Sequence, residues 1–387
     1  MSISAFSFKT VPSIELGIGK IHSLGDLAKL HGMQRPFVVT DAGIVGAGLL
    51  DVCVDSLKKA NLETTLYTEV VADPPEHVVL AATQAAIDAG CDGVIGYGGG
   101  SSMDVAKLIA VLIQQEQPLE QMYGVDNVRS SRAPLLQIPT TAGTGSEVTA
   151  VAIVTTGEFT KAGVVSPSLY ADAVILDPEL TVGLPAHVTA ATGIDAMVHA
   201  IEAYTSKRLK NPLSDMLALQ ALKLMTRSIR TAVFTGKDIN ARTDMLLGAM
   251  LAGQAFANSP VGAVHALAYP LGGIYHIPHG LINSLVLPHV LRFNAPVAGH
   301  LYKQLAEVIL YDQTRAANET AVTEQLAEHF LSLAAELGLQ TTLQQMNIKE
   351  DGLDELAEQS MLQERLLINN PREVTLDDAK KIYQAAF

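Results

Sequence analysis

Four side chains with the chemistry of metal ligands stand out in the second half of the chain. Asp195 and His199 lie in Thr192-Gly-Ile-Asp-Ala-Met-Val-His199, four residues apart. On a helix that spacing puts both on one face, where a carboxylate and an imidazole can grip one divalent cation. Taken alone, the pair reads first as an ordinary surface ion pair or helix hydrogen bond. His265 and His279 fall in Val261-Gly-Ala-Val-His-Ala-Leu-Ala-Tyr269 and Ile277-Pro-His279-Gly280, apolar surroundings rich in small residues. Buried histidines there need partners, either core hydrogen bonds or a ligand. Asp195, His199, His265 and His279 together offer three nitrogens and one oxygen, a set that suits Fe(II) or Zn(II) without choosing between them. His276, three residues before His279, competes with it as a ligand and could instead meet substrate or solvent. His289, next to Pro288, reads as structural.

A second chemistry belongs to the first half. Tyr97-Gly98-Gly99-Gly100-Ser101-Ser102-Met103-Asp104 follows a strand-like run and opens a helix-like one. Glycines let a ligand approach the backbone closely, and a helix N-terminus favours an anion such as a pyrophosphate. The spacing is not that of a Gly-x-Gly-x-x-Gly fingerprint, and a tight strand-to-helix turn would use the same residues. Pro139-Thr140-Thr141-Ala-Gly-Thr144-Gly-Ser-Glu147 forms a second loop with hydroxyl donors and glycines after another strand-like run. Asp41 closes the run Val38-Val-Thr-Asp41. A carboxylate there suits either a helix cap or the hydroxyls of an adenosine ribose, and it repels a 2′-phosphate.

These groups need a scaffold. Pro36–Thr40, Thr64–Tyr67, Gly93–Tyr97, Leu135–Pro139 and Ala173–Asp177 read as short buried strands. Pro75–Ala89 and Ser102–Gln114 read as helices between them. Such alternation predicts an α/β Rossmann-like domain with a parallel sheet, over residues 1–184. From 185 to 387 the chain turns rich in Ala, Leu and Met at helical spacing, which predicts an all-α domain. Pro185, Gly193, Pro212, Pro260, Pro288 and Pro371 are expected to punctuate its helices, and a cleft between the domains to hold cofactor and substrate.

Composition narrows the function. The 387 residues carry a net charge of −14, against a role in binding nucleic acid, which needs clustered Lys and Arg. The 48% hydrophobic content fits a globular chain. No basic region and apolar run opens the sequence, and Met245–Ala257 is short of a membrane span, so it reads as a buried helix. The two cysteines, Cys53 and Cys91, make no disulfide framework. A cytoplasmic protein is expected.

With these motifs assembled, the chain resembles the iron-containing (group III) alcohol dehydrogenase family. The anchors are Gly98-Gly-Gly-Ser-Ser-Met-Asp104, Pro139–Glu147, Ala191-Thr-Gly-Ile-Asp-Ala-Met-Val-His-Ala-Ile-Glu202 and the segment from His265 to His279, and the resemblance covers nearly the whole chain. It implies the dehydroquinate synthase-like plan of a nucleotide-binding domain followed by a helical metal-binding domain. It also implies Asp195, His199, His265 and His279 as metal ligands, and Gly98, Gly99, Gly100 and Ser101 against the pyrophosphate. Asp104 falls near the nicotinamide; Thr140, Thr141, Thr144 and Lys161 match further cofactor contacts. Asp73 stands where many relatives place asparagine against the adenosine ribose, and Asp41 where an acid goes with NAD rather than NADP. One position departs. Many relatives carry a second histidine, often proposed as the proton relay, where this chain has Tyr269. Proton transfer is then expected through the Tyr269 hydroxyl, ribose hydroxyls, water or His276.

The expected activity is reversible hydride transfer between a small alcohol or diol and NAD, with Fe(II), or Zn(II) in its place, as Lewis acid. A homodimer or higher homo-oligomer is expected with no membrane partner. Rival readings on the same plan are a polyol dehydrogenase, a hydroxyacid–oxoacid transhydrogenase and a dehydroquinate-synthase-like lyase; a non-catalytic NAD-binding module is a further rival from another class. The lyase would need clustered cations for its substrate, and Lys161 is the main candidate near these motifs.

Overall fold

A computed structural model of the chain describes residues 5–157 and 160–387. The chain divides into two compact units, one of Thr10–Gly183 and one of Leu184–Phe387 joined by the described residues up to Lys9. The N-terminal segment therefore groups with the helical unit, whereas the sequence reading placed it with the α/β part. Its tie is a reciprocal pair of hydrogen bonds: Lys9 N–H donates to Asn258 Oδ1 at 2.7 Å, and Asn258 Nδ2 donates to the Lys9 carbonyl at 2.8 Å.

Among the described residues of the first unit, nine strands form two sheets. They are β1 (Ile14–Leu16), β2 (Pro36–Asp41), β3 (Thr65–Val70), β4 (Gly93–Gly98), β5 (Gly124–Val125), β6 (Leu135–Pro139), β7 (Val151–Thr156), β8 (Thr160–Val165) and β9 (Ala173–Leu176). The six-stranded sheet runs β1-β9-β6-β4-β2-β3 and is parallel throughout. Its central strands β4 and β6 are buried along their whole length, as continuous apolar runs in a sheet covered on both faces must be. The strand order sets the site. β2, β4 and β6 are neighbours, so the loops leaving Asp41, Gly98 and Pro139 emerge side by side at the carboxyl edge.

The second sheet, β5-β8-β7, is one the sequence reading did not name. Its β7 and β8 are antiparallel, and β7 alternates between buried and half-buried residues. An alternating strand of mixed polarity is harder to see in sequence than a continuous apolar run. The helix after β4 begins at Gly100, two residues before the expected Ser102. Cys53 is buried, Cys91 is half-buried, and both are free thiols.

The second unit is built of helices at Ala186–Thr205, Pro212–Phe234, Ile239–Asn258, Ala263–Tyr275, His279–Ile309 and Glu319–Glu336, with shorter ones toward the C-terminus. Polar caps start several of them: the side chains of Asn211, Asp238 and Asn318 accept from backbone N–H groups of the first turns. Pro185 and Pro212 stand at helix starts, as expected. Gly193 and Pro288 do not punctuate; both lie inside helices. At Gly193 a Cβ would come within 2.7 Å of Met245 Cε, so the glycine serves close helix packing. The apolar stretch from Met245 lies in a largely buried helix, and no helix among the described residues is long and apolar enough to cross a membrane.

Packing under the sheet generates a test. A Cβ at Gly96, in β4, would fall 2.1 Å from Gln137 Oε1 and 2.9 Å from Ala106 Cβ. Gln137 is fully buried, and its amide donates to the Met103 carbonyl at 3.0 Å. Gly96→Ala is expected to lower stability by roughly 2–3 kcal/mol through overpacking. A lower urea midpoint with an unchanged denaturant slope would bear this out.

Candidate metal centre and nucleotide-binding loops

The long buried helix Ala186–Thr205 presents Asp195 and His199 one turn apart, both buried. His265 comes from the first turn of Ala263–Tyr275, and His279 opens the helix His279–Ile309. Gly280 makes the last placement possible, because a Cβ there would meet the Ala191 carbonyl oxygen at 2.5 Å. One ligand atom from each of Asp195, His199, His265 and His279 lies within 4.8 Å of the others. The rings of His199 and His265 stack with centroids 4.6 Å apart, and Phe256 stacks on His199 at 4.5 Å. His276 is exposed, holds a left-handed backbone conformation at the end of its helix, and stands outside this group.

The donor set fits a divalent cation. Asn283 Nδ2 donates to Asp195 Oδ1 at 2.6 Å and lies 3.2 Å from both His265 Nε2 and His279 Nε2. Several acceptors thus converge on one small region, and a cation satisfies such a set where a neutral core could not. Burial alone would push the Asp195 carboxyl up, yet His199, His279, His265 and the Asn283 amide hold it below its usual value. It is therefore ionised near neutrality, the state a metal ligand needs.

Around these groups, Tyr269 is half-buried beside Phe256 and Leu367, against a core of Val261, Ala266 and Leu366. Its ring centroid is 6.1 Å from that of His279. Ile274 is half-buried near the end of the same helix. His289 is buried in the helix His279–Ile309; burial and Arg292 push its pKa down to about 4, so it is neutral in the core.

In the α/β unit the two polar loops come together. Gly98 has φ +152°, and a Cβ there would crowd Ser102 Oγ at 2.9 Å. Gly99 caps the helix Gly100–Leu112, whose first N–H groups point out of its end. A Cβ on Gly100 would meet Thr144 Cγ2 at 2.9 Å, and Thr141 lies beside Gly99. The Thr140 N–H donates to the Gly98 carbonyl at 3.0 Å, tying the second loop to the first. A cavity of about 340 Å³ opens here, lined by Asp41, Gly43, Val70, Gly99, Gly100 and Ser101 among others. Asp41 Oδ1 caps the next short helix by accepting from Gly43 N at 2.9 Å and Ile44 N at 3.1 Å, and Oδ2 accepts from Ser102 Oγ at 3.1 Å. It is a helix cap and a cavity wall at once.

The remaining positions divide. Lys161, on β8, forms an ion pair with Asp73, so these two meet each other. Asp104 accepts from Ser146 Oγ at 2.5 Å and from Ile153 N at 2.9 Å. Beside it the fully buried Lys107 donates to Ser146 Oγ at 2.7 Å and to the Val151 carbonyl at 2.7 Å. Burial lowers the Lys107 pKa, opposed by Asp104 and Glu147. The network locks the start of the helix Gly100–Leu112 to the Thr140–Thr149 loop.

Comparisons with known proteins agree on one family across both units. Residues 12–178 match the family described as iron-containing alcohol dehydrogenase, and residues 189–387 match the Fe-containing alcohol dehydrogenase family, C-terminal. The chain belongs to the iron-containing alcohol dehydrogenase family. It is 38% identical, over its full length and 98% of the relative, to long-chain-alcohol dehydrogenase 1 of Geobacillus thermodenitrificans. The crystal structure of a 1,3-propanediol oxidoreductase superposes with a TM-score of 0.95 at 32% identity, covering 99% of this chain and 100% of that one. Sulfoacetaldehyde reductase from Bifidobacterium kashiwanohense, solved in complex with NAD⁺, superposes with a TM-score of 0.87 at 28% identity, covering 99% of each chain.

Two residues of this iron-containing alcohol dehydrogenase relative escaped the sequence reading. Asn283 lies one turn after His279, and Glu202 three residues after His199, where its carboxylate meets His265 Nδ1 at 2.5 Å. Helical spacing from the recognised ligands was the available signal.

The loop network also yields a pH effect. Glu147 is fully buried, and burial pushes its carboxyl up to about 7, opposed by its backbone hydrogen bond and by Lys107. A folded-state pKa above the unfolded one means the fold holds the proton more tightly. The contribution is complete below about pH 4.5 and is lost as pH rises through about 7, on the order of 3 kcal/mol in all. The stability gap between wild type and Glu147→Gln, from urea titrations at pH 5 and pH 8, should move by this order toward the variant at pH 8. An unchanged gap would remove the effect.

Proposed function

We propose that the chain is an NAD-linked, metal-dependent dehydrogenase that reversibly oxidises a small alcohol or diol to the aldehyde or ketone. The observation that carries this reading is the convergence of Asp195, His199 and His265, all buried, with the half-buried His279 on one point. Family membership and the relatives named for long-chain alcohols and 1,3-propanediol support the reaction class. The four residues would hold the ion, with Fe(II) proposed and Zn(II) as a substitute. A divalent metal there supplies Lewis acidity toward an alcohol or carbonyl oxygen.

The chain's own work is to bind and orient. Backbone N–H groups at Gly99, Gly100 and Ser101 face an anion at the helix end, suited to a pyrophosphate. Thr140, Thr141 and Thr144 close the far side of that loop pair. Asp41, at the cavity wall, accepts hydrogen bonds from ribose hydroxyls and repels a 2′-phosphate. Lys161, with Asp73, supplies a cation near the cofactor, and Asp104 is held for the nicotinamide side by Ser146 and Ile153. Phe256 and Tyr269 put apolar surface beside the histidines, which suits an uncharged carbon chain. The Tyr269 hydroxyl, or the exposed His276, passes the substrate proton outward. The redox chemistry itself belongs to the nicotinamide. Family membership supports a homo-oligomer working in the cytoplasm.

Anaerobic turnover of Fe(II)-reconstituted protein, followed by reduced-nicotinamide absorbance over a panel of alcohols and diols, tests the activity. Activity should vanish on chelation and in His265→Ala, which should still bind NAD⁺ because the nucleotide loops belong to the other unit. Metal-independent turnover in that variant would remove the metal from the proposal. Asp41→Gly should raise kcat/KM with NADP⁺ relative to NAD⁺ by roughly tenfold or more, through loss of like-charge repulsion. An unmoved ratio would count against Asp41 as the selector.

A further inference from the structure

We infer that Glu202 is a positioning residue that fixes the tautomer and ring orientation of His265, so that its Nε2 lone pair faces the metal centre. This rests on the metal-centre reading above. Both Glu202 oxygens are committed. Oε1 accepts from the Val264 N–H at 2.7 Å, and Oε2 meets His265 Nδ1 at 2.5 Å. With Oε1 taken by the Val264 N–H, Oε2 is placed to accept from a proton on Nδ1, the tautomer that leaves Nε2 bare. A second contact on the opposite edge of the ring agrees: the Asn283 amide nitrogen lies 3.2 Å from His265 Nε2, where a lone pair can accept from it.

Glu202 is itself held. It is only 6% exposed, on the same helix as Asp195 and His199. Behind it a small cavity of about 10 Å³, about the room of one water, is lined by polar groups including Thr205, Asn294, Tyr302 and Asn370. Asn294 and Asn370 exchange amide hydrogen bonds at 3.0 and 2.8 Å, and Gly262, two residues before Val264, packs on the Asn370 backbone. The turn that delivers His265 is therefore clamped from both sides, with Glu202 bridging Val264 and His265.

Replacing the carboxylate by an amide exposes the logic. In Glu202→Gln one of the two acceptors becomes a donor. If the NH₂ faces the Val264 N–H, two donors oppose each other. If it faces His265, it demands a bare Nδ1 and moves the proton to Nε2, the atom needed for the metal. The second orientation avoids opposed donors, so the variant keeps size and packing and reverses the directing interaction.

The test uses the full-length protein. Long-range ¹⁵N–¹H correlation spectra of metal-free, histidine-labelled protein at pH 8 report which His265 nitrogen carries the proton, with His265→Ala giving the assignment. Competition with a chromophoric chelator gives the Zn²⁺ affinity. Wild type should carry the proton on Nδ1 alone. Glu202→Gln should shift it toward Nε2 and bind Zn²⁺ tenfold to a hundredfold more weakly, the size of effect expected for an outer-shell partner of a ligating histidine. A proton on Nε2 in wild type would overturn the proposal, as would an affinity within twofold of wild type. Weaker binding with an unchanged tautomer would also overturn it, since that marks a structural disturbance. If Glu202→Gln does not fold, the wild-type spectrum still decides. Failure of wild type to bind Zn²⁺ would strike the metal-centre reading, and the tautomer measurement on metal-free protein would stand apart from it.

Discussion

A buried carboxylate facing three imidazoles organises the helical unit. Asp195 is almost completely buried, and a lone ionised carboxylate at such depth is too unfavourable to persist. Everything next to it lowers that cost. His199 stands one turn away on the same helix, and His265 and His279 are delivered by helix starts. Asn283 donates directly to the carboxylate. Each needs a particular backbone event: the absence of a side chain at Gly280, the interruption of helix between Tyr275 and His279, and the clamp on Gly262. The long buried helix Ala186–Thr205 is the frame on which these events are referenced.

The α/β unit solves a different problem, that of presenting backbone rather than side chains. The proposed pyrophosphate site would recognise its ligand through N–H groups at close range, which makes residues without bulk the important ones. Gly98 provides the positive φ, and Gly100 leaves room for Thr144. The parallel order β6-β4-β2 brings three loops to one edge, and the buried amine of Lys107 joins the helix to the loop after β6. A buried lysine satisfied by Ser146, Thr149, the Val151 carbonyl and Asp104 is a rigid fastening. Rigidity there keeps the cavity at Asp41 and Gly99 formed before any ligand arrives.

Much of this was legible in the chain. Four of the five strands were read within a residue of their observed ends, because burial on both faces leaves an unmistakable run; the edge strand β3, half-buried and mixed in polarity, was read from its β-branched and aromatic residues and three residues short. The four ligand-type residues were also read as a set. The second sheet was not, since β7 alternates between buried and half-buried without strong contrast and β8 is half-buried over most of its described side chains. Gly193 and Pro288 were misread as boundaries. Local propensity marks them as breakers, but helix packing at Gly193 and the length of the helix His279–Ile309 override it.

By itself, the sequence determined the kinds of chemistry present: ligand atoms of the right types, glycines where backbone must approach a ligand, and an acid at the end of the first central strand. Residue type and local spacing fix these, and both are one-dimensional. The tertiary structure decided which candidates meet. It chose His279 over the exposed His276, made Asp41 both a helix cap and a cavity wall, and paired Lys161 with Asp73. It also brought forward Glu202 and Asn283, whose roles depend on contacts across 63 and 88 residues of chain. Contacts of that range are set by how helices pack; helical spacing can place Glu202 and Asn283 near the candidate ligands, but not say what they meet.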